Sequence, residues 1–231
     1  MSKTPQHFLF DFDGVLADSE IHTLPTIKLI AARHDFSSDS LRDEYGGWTW
    51  AAIADELLAN IASHTAALPS TDILSDELAA AFSQSVLSSP VAVPGAIEAV
   101  KAAAQVGRVA VVTGSRGALV EAWLNHFHIR RYVELIVSAE TYERAKPAPD
   151  AYRTALERFM AEPDETIVFE DSPAGVTAAI AAELCVYVIG ETPLPLNLKA
   201  SVLGQFTDFT DPTLIRRMMT EHGLDLRANA D

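Results

Sequence analysis

Four short polar clusters stand out along the chain, and together they carry groups able to act on one ligand. Asp11-Phe12-Asp13-Gly14 sets two carboxylates two positions apart, beside a glycine that permits a tight turn. Thr113-Gly114-Ser115 offers hydroxyls and backbone amides around a small residue. Lys146-Pro147-Ala148-Pro149-Asp150 offers an ammonium just before a helical pattern, and Glu170-Asp171-Ser172 adds two more carboxylates. If these groups converge, charge decides what they can be. Two carboxylates ~4 Å apart repel by about 4 kcal/mol at an effective dielectric of 20. Four of them cannot all stay ionised without compensation. A divalent cation together with Lys146 would supply it. Oxygen-only ligands favour a hard ion, and magnesium is the usual one where phosphate is also bound. Taken alone, Asp-x-Asp-Gly is read as well as a helix cap or a turn. Three further polar clusters in matching positions turn the balance toward a site.

Positioning these clusters falls to short apolar runs that end at them. His7–Phe10 ends at Asp11, Val109–Val112 at Thr113, and Thr166–Phe169 at Glu170 and Asp171. Leu135–Val137 and Val186–Ile189 are further runs of the same kind. Runs this short and apolar on both faces suit the buried strands of a parallel sheet. Helical patterns lie between them at Ala96–Ala104, Ala118–His126, Asp150–Met160 and Ala174–Ala182, and Pro212–His222 reads as one more. The alternation predicts an α/β fold, a doubly wound, Rossmann-like parallel-sheet core. In such sheets ligands bind beyond the carboxyl ends of the strands, where the clusters fall.

Residues 18–90 break the alternation. Ile21, Leu24, Ile27 and Ala31 follow helix spacing, and Ala51–Ala62 and Asp76–Leu87 continue in helical patterns, the last capped by Ser75 or Asp76. The expectation is a small all-helical cap at 18–90, inserted after the first strand. Pro90, Pro94 and Gly95 mark the return to a catalytic core made of 1–17 and 91–231.

The bulk properties narrow the partners. The 231 residues are 48% hydrophobic, enough to bury a full core, and 32 acidic against 17 basic residues give a net charge of -15. So acidic a surface repels nucleic acid and anionic membranes, and neither is expected as a partner. It also repels phosphorylated substrates at long range, so phosphate chemistry needs a local positive site. The single cysteine, Cys185, cannot form an internal disulfide and suits a reducing compartment. With no signal-peptide pattern and no membrane-length apolar stretch, a soluble cytoplasmic protein is expected, a monomer or weak homodimer.

In order and spacing the four clusters resemble the four motifs of the haloacid dehalogenase-like hydrolase superfamily, over nearly the whole chain. Asp11 through Ser19 resembles motif one, Val111 through Ser115 motif two, Lys146 through Pro149 motif three and Phe169 through Gly175 motif four. The helical insert resembles the cap of the branch that includes beta-phosphoglucomutase and many sugar-phosphate phosphatases. The resemblance implies that Asp11 is a nucleophile forming an aspartyl-phosphate and that Asp13 is the general acid and base. It implies Mg2+ on the Asp11 carboxylate, the Asp13 backbone carbonyl and Asp171, with Glu170 as ligand or supporting partner. Thr113, the Gly114 amide and Lys146 would hold the phosphoryl oxygens. The superfamily's dehalogenases lack an acid two positions after the nucleophile, so Asp13 implies phosphate chemistry.

The cap carries weaker indications. The histidine of the mutases falls on Thr23, and His22, about 100° away on a helix, is read as a surface or interdomain residue. Gly46-Gly47 resembles the specificity loop. Gly47, Trp48 and Trp50 are substrate-side candidates, although at least one tryptophan is expected in the cap's own core. The arginine that grips a second phosphate in mutases falls near Trp50, and Asp43 to Val100 holds no lysine or arginine. On the core side Ser115 and Arg116 are substrate candidates; His64 is read as surface. The expectation is a magnesium-dependent phosphatase of a small phosphorylated metabolite, a sugar phosphate or similar monoester. Alternatives are a phosphomutase, a phosphonate hydrolase using Lys28, or a non-catalytic binding protein on the same fold.

Overall fold

The computed structural model describes residues 5–36, 41–42, 45, 48–59 and 68–220. Gly46, Gly47 and His64 lie outside the described residues, as do the ends of the helices expected at Ala51–Ala62 and Pro212–His222. In chain order, strand β1 (His7–Phe10) is followed by helices α1 (Glu20–Arg33), α2 (Trp50–Ala59), α3 (Thr71–Ser88) and α4 (Ala96–Val106). Then come β2 (Arg108–Val112), α5 (Gly117–His126), β3 (Leu135–Val137), α6 (Asp150–Phe159), β4 (Thr166–Glu170) and α7 (Pro173–Ala181). β5 (Cys185–Ile189), α8 (Leu196–Lys199), β6 (Gly204–Phe206) and α9 (Pro212–Thr220) complete the order. The chain divides into two compact units, Met1–Asp18 with Ala92–Asp231, and Ser19–Val91.

The first unit is built on a six-stranded sheet of order β3-β2-β1-β4-β5-β6, with every neighbouring pair parallel. The chain starts in the middle, moves outward through β2 and β3, then returns to β4 and moves outward the other way. The reversal between β1 and β4 opens a crevice at their carboxyl ends. Register makes those ends level: Phe10 lies opposite Val111 on one side and Phe169 on the other. β1 and β4 have no exposed residue, which explains the unbroken apolar runs. Phe10 stacks on Phe169 at 4.6 Å between ring centres, and Phe209 meets both rings. β6 has no counterpart in the sequence reading. Its three residues, Gly204, Gln205 and Phe206, carry no apolar pattern and lie at the sheet edge, where pairing to β5 alone makes them a strand.

Where the chain leaves and re-enters this unit it is pinned. Ala17 forms an antiparallel bridge with Ala92, and the Val93 amide donates to the Leu16 carbonyl at 3.0 Å. At Gly95 the backbone is left-handed (φ 76°), and a Cβ there would run into the Phe209 backbone, so the helix start at Ala96 admits only glycine before it.

The second unit is helical. α1 and α2 both pack on α3, around a core that includes Ile27, Ile30, Ile53, Leu57, Leu74 and Leu78. α3 begins at Thr71, ahead of the start expected near Ser75, because Ser70 is extended and its hydroxyl accepts from the Ile73 amide. His22 is buried, not a surface residue: Nε2 donates to the Ser89 carbonyl at 3.2 Å, and Nδ1 lies 2.9 Å from the Ser85 hydroxyl. Trp50 belongs to the packing of this unit, with its ring 5.0 Å from Phe82. Trp48 is 39% exposed, edge-on to Tyr45, with the Arg42 guanidinium over its face.

At the amino end of β1, His7 is buried against Phe159, and its Nδ1 has no partner among the described residues. Burial, with Arg108 adding to it, holds the imidazole pKa below 6.5. Unfolding restores the ordinary value, so the unfolded chain takes up the extra proton as pH falls. Stability should therefore be fully present above about 6.5 and decline below it. His7→Phe should flatten that decline in urea melts taken across pH; an unchanged slope would assign it to other groups.

Candidate active site

The site is assembled at the carboxyl ends of β1, β2 and β4. Asp11 follows β1, and its amide continues the ladder by donating to the Phe169 carbonyl at 2.9 Å. The chain then turns back on itself. The Leu16 and Ala17 amides both donate to the Phe12 carbonyl, and the Gly14 amide donates to the Ala17 carbonyl. Phe12 and Leu16 are fully buried and anchor the turn, Phe12 edge-on against Trp123. Gly14 is left-handed (φ 75°), and a Cβ there would overlap the Asp171 carboxylate. Conformation and close approach together require glycine.

Glu170 is fully buried at the end of β4 and accepts five hydrogen bonds. Oε1 takes Lys146 Nζ at 2.6 Å and the Tyr152 hydroxyl at 2.7 Å. Oε2 takes the Asp171 and Ser172 amides and the Ser172 hydroxyl. Gly175 makes room for this carboxylate, because a Cβ there would overlap it. Lys146 uses all three ammonium hydrogens: on Asp11 Oδ1 at 2.6 Å, on Glu170 Oε1 at 2.6 Å and on the Val112 carbonyl at 3.1 Å. The Tyr152 ring lies 4.9 Å from the ammonium.

On the β2 side, the Thr113 hydroxyl accepts from the Ser115 amide at 2.9 Å, and the Ser115 hydroxyl donates to Asp13 Oδ2 at 2.6 Å. The Ser115 hydroxyl thus serves Asp13, a different use from the substrate contact expected of it. Arg116 is exposed, and its charge acts on Glu140. The Ser138 hydroxyl, above all, and then the Gly117 amide and Arg116 hold the Glu140 carboxyl below its ordinary range.

Desolvation works against the Lys146 ammonium, but the Asp11 and Glu170 carboxylates outweigh it and raise its pKa. Burial pushes the Asp11 carboxyl up to about 8 against the pull of Lys146, with Glu170 and Asp13 adding to the rise. One ammonium is too little positive charge for this many carboxylates. Asp11, Glu170 and Asp171 each offer an oxygen, and the three oxygens lie within 4.8 Å of one another. That donor set and that charge deficit fit a hard divalent cation.

The structure brings Asp11, Asp13, Thr113, Ser115, Lys146, Glu170 and Asp171 together. Tyr152 was missed in the sequence because it sits in the apolar stripe Ala151, Tyr152, Ala155, Phe159 and reads as core. Tyr142, whose hydroxyl donates to the Thr113 carbonyl, lies in a loop without a pattern. Gly175 did carry a signal, a glycine inside the first turn of α7, where alanine would favour the helix.

A parallel sheet reversing at β1 and β4, with a lysine paired to carboxylates at its carboxyl ends, is an α/β fold with a charged site at the switch point. The pattern of the family described as haloacid dehalogenase-like hydrolase matches residues 8–189, and the chain belongs to that family. Validoxylamine A 7'-phosphate phosphatase of Streptomyces hygroscopicus subsp. limoneus is 33% identical over 174 residues, 74% of this chain and 79% of its own. Fructose-1-phosphate phosphatase YqaB of Escherichia coli (strain K12) is 28% identical over 179 residues, 75% of this chain and 90% of its own. The crystal structure of CbbY from Rhodobacter sphaeroides in complex with phosphate shares the fold, with a TM-score of 0.76 at 23% identity, over 90% of this chain and 96% of that one. The chain is a phosphoric monoester hydrolase. Among the described residues no helix is long and apolar enough to cross a membrane.

Gly175→Ala should force the Glu170 carboxylate out of its bonded position and lower stability by about 1–3 kcal/mol, the usual scale of overpacking. Thermal melts read this directly; a neutral effect would mean that Glu170 has room to move.

Proposed function

We propose that this hydrolase is a magnesium-dependent phosphatase of a small phosphorylated metabolite, of the sugar-phosphate kind, working through an aspartyl-phosphate on Asp11. The observation that carries the reading is the Lys146 ammonium held between Asp11 and Glu170, with Asp13 bonded to Ser115 beside them. Asp11 and Asp171, with the Asp13 backbone carbonyl, are the residues we assign to hold Mg2+, and Glu170, already bonded by five donors, steadies them. When bound, the ion supplies the positive charge that keeps Asp11 ionised and neutralises phosphoryl oxygens.

Asp11 attacks phosphorus in line, and the bond from phosphorus to the ester oxygen breaks as Asp13 delivers a proton to that oxygen. Asp13 then takes a proton from the water that attacks the acyl phosphate, releasing inorganic phosphate and restoring the Asp11 carboxylate. The Ser115 hydroxyl fixes which way Asp13 points. Lys146, Thr113 and the Gly114 amide offset charge on the phosphoryl oxygens.

The named activities of the relatives, a validoxylamine phosphate and a fructose phosphate, support a polyol or sugar ester as substrate. Charge in the helical unit, which we read as the cap, supports a monophosphate over a bisphosphate. Arg33 and His34 pair with Glu77, Arg42 pairs with Glu56, and Asp43 to Val100 has no lysine or arginine. A phosphomutase that must grip a second phosphate is poorly served by this arrangement. The lone, half-buried Cys185 supports work in the reducing cytoplasm.

Phosphate release from a panel of phosphomonoesters should require magnesium and stop with chelator. Asp11→Asn should abolish it while the fold persists, and Asp13→Asn should lower kcat roughly 100-fold, the scale of losing an acid–base group. Substantial turnover by Asp11→Asn would remove Asp11 as nucleophile.

A further inference from the structure

Among the described glycines, Gly114 has neither of the reasons that explain the others. Gly14, Gly95 and Gly190 are left-handed. Gly107 and Gly175 admit no Cβ without overlap, and Gly117 and Gly204 would place one in tight contact. Gly114 is not left-handed, and a Cβ there would meet a single atom within 4 Å, the Tyr142 hydroxyl oxygen at 3.9 Å. Neither backbone conformation nor packing asks for glycine at the end of β2. The space is nonetheless at the reacting centre, because the residues on either side, Thr113 and Ser115, join each other and Asp13.

Tyr142 defines the far side of that space. Its hydroxyl donates to the Thr113 carbonyl at 3.0 Å, which spends its one hydrogen and leaves oxygen lone pairs to accept from another group. Lys146 and Asp11 both act on this phenol electrostatically, so it lies near the pair at the centre. Of the neighbouring charges, the Glu140 carboxylate accepts from Ser138 and the Gly117 amide and also acts on the Tyr142 phenol, and Arg116 acts on Glu140. Within 4 Å of a Cβ at 114, chain neighbours aside, the one atom among the described residues is this neutral acceptor.

We infer that Gly114 and Tyr142 form a core-side subsite for the leaving group of the ester, in which the absent side chain admits a hydroxylated carbon skeleton and the Tyr142 oxygen accepts a hydrogen bond from one of its hydroxyls. The inference rests on the phosphatase reading and adds to it a residue pair that selects the substrate class. A site that bonds a substrate hydroxyl discriminates against the analogue lacking it, since the half-buried acceptor would then lose that partner. A side chain at 114 would select by size instead.

The test compares kcat/KM for phosphate release, with magnesium, from a hexitol phosphate, n-hexyl phosphate and ethyl phosphate. Tyr142→Phe keeps the ring and removes the hydroxyl, and with it both the acceptor and the bond to the Thr113 carbonyl; loss of that bond acts on every ester alike, so the ratio between esters reads the acceptor. It should lower the hexitol-to-hexyl ratio about 5- to 10-fold, the worth of one neutral hydrogen bond. Gly114→Val should lower the hexitol-to-ethyl ratio at least about 10-fold by filling the volume. Ratios within about twofold of the wild type, or equal losses on all three esters, would overturn the subsite. Should Gly114→Val fail to fold by circular dichroism, the Tyr142→Phe ratio decides alone. If the wild-type enzyme releases phosphate from none of a wide ester panel, the phosphatase reading itself fails, and the subsite with it.

Discussion

The structure depends on one buried interaction, the Lys146 ammonium shared by Asp11 and Glu170. Taking ions of this size out of water costs several kcal/mol each, and the cost is recovered only when geometry is good and the remaining hydrogens and lone pairs are bonded. Both conditions are met here. The third ammonium hydrogen goes to the Val112 carbonyl, and Glu170 is saturated by Tyr152, Ser172 and two backbone amides. The sheet order follows from the same need. Only with β1 between β2 and β4 do Asp11, Val112 and Glu170 reach one level around a single nitrogen.

Close approach is the second constraint. Gly14 and Gly175 bring the backbone against the carboxylates of Asp171 and Glu170, so both acids are held by fit, and Glu170 by hydrogen bonds as well. A carboxylate held on all sides keeps its oxygens in place when charge nearby changes, which is the preorganisation that electrostatic catalysis requires.

How much of this was legible in the sequence varied with the range of the forces involved. Strands β1, β2 and β4 could be read because a buried parallel strand needs apolar residues on both faces, and each run stops at a polar residue that the crevice needs. Asp11, Glu170 and Asp171 could be singled out for the same reason, Asp13 by its spacing from Asp11 and Lys146 by its place just before a helical pattern. β6 could not, since Gly204–Phe206 takes its strand form from β5 alone. The start of α3 at Thr71 was obscured by competing caps at Ser75 and Asp76. Residues fixed by distant partners were least legible. His22 is set by Ser85 and Ser89, Trp50 by Phe82, and Tyr152 by Glu170, and no local pattern records those pairings.

The clasp at the edge of the helical insertion has an evolutionary consequence. Ala17 bridges Ala92, and Val93 bonds Leu16, so the two points where the insertion leaves and rejoins are already tied together. Exchanging whatever lies between them need not reopen the sheet, and the entropy of closing a loop grows only slowly with its length. The insertion can thus be replaced as a cassette, lengthened or recast, while the strands that hold the aspartates are inherited unchanged. A lineage built this way can change the insertion without disturbing the strand ends.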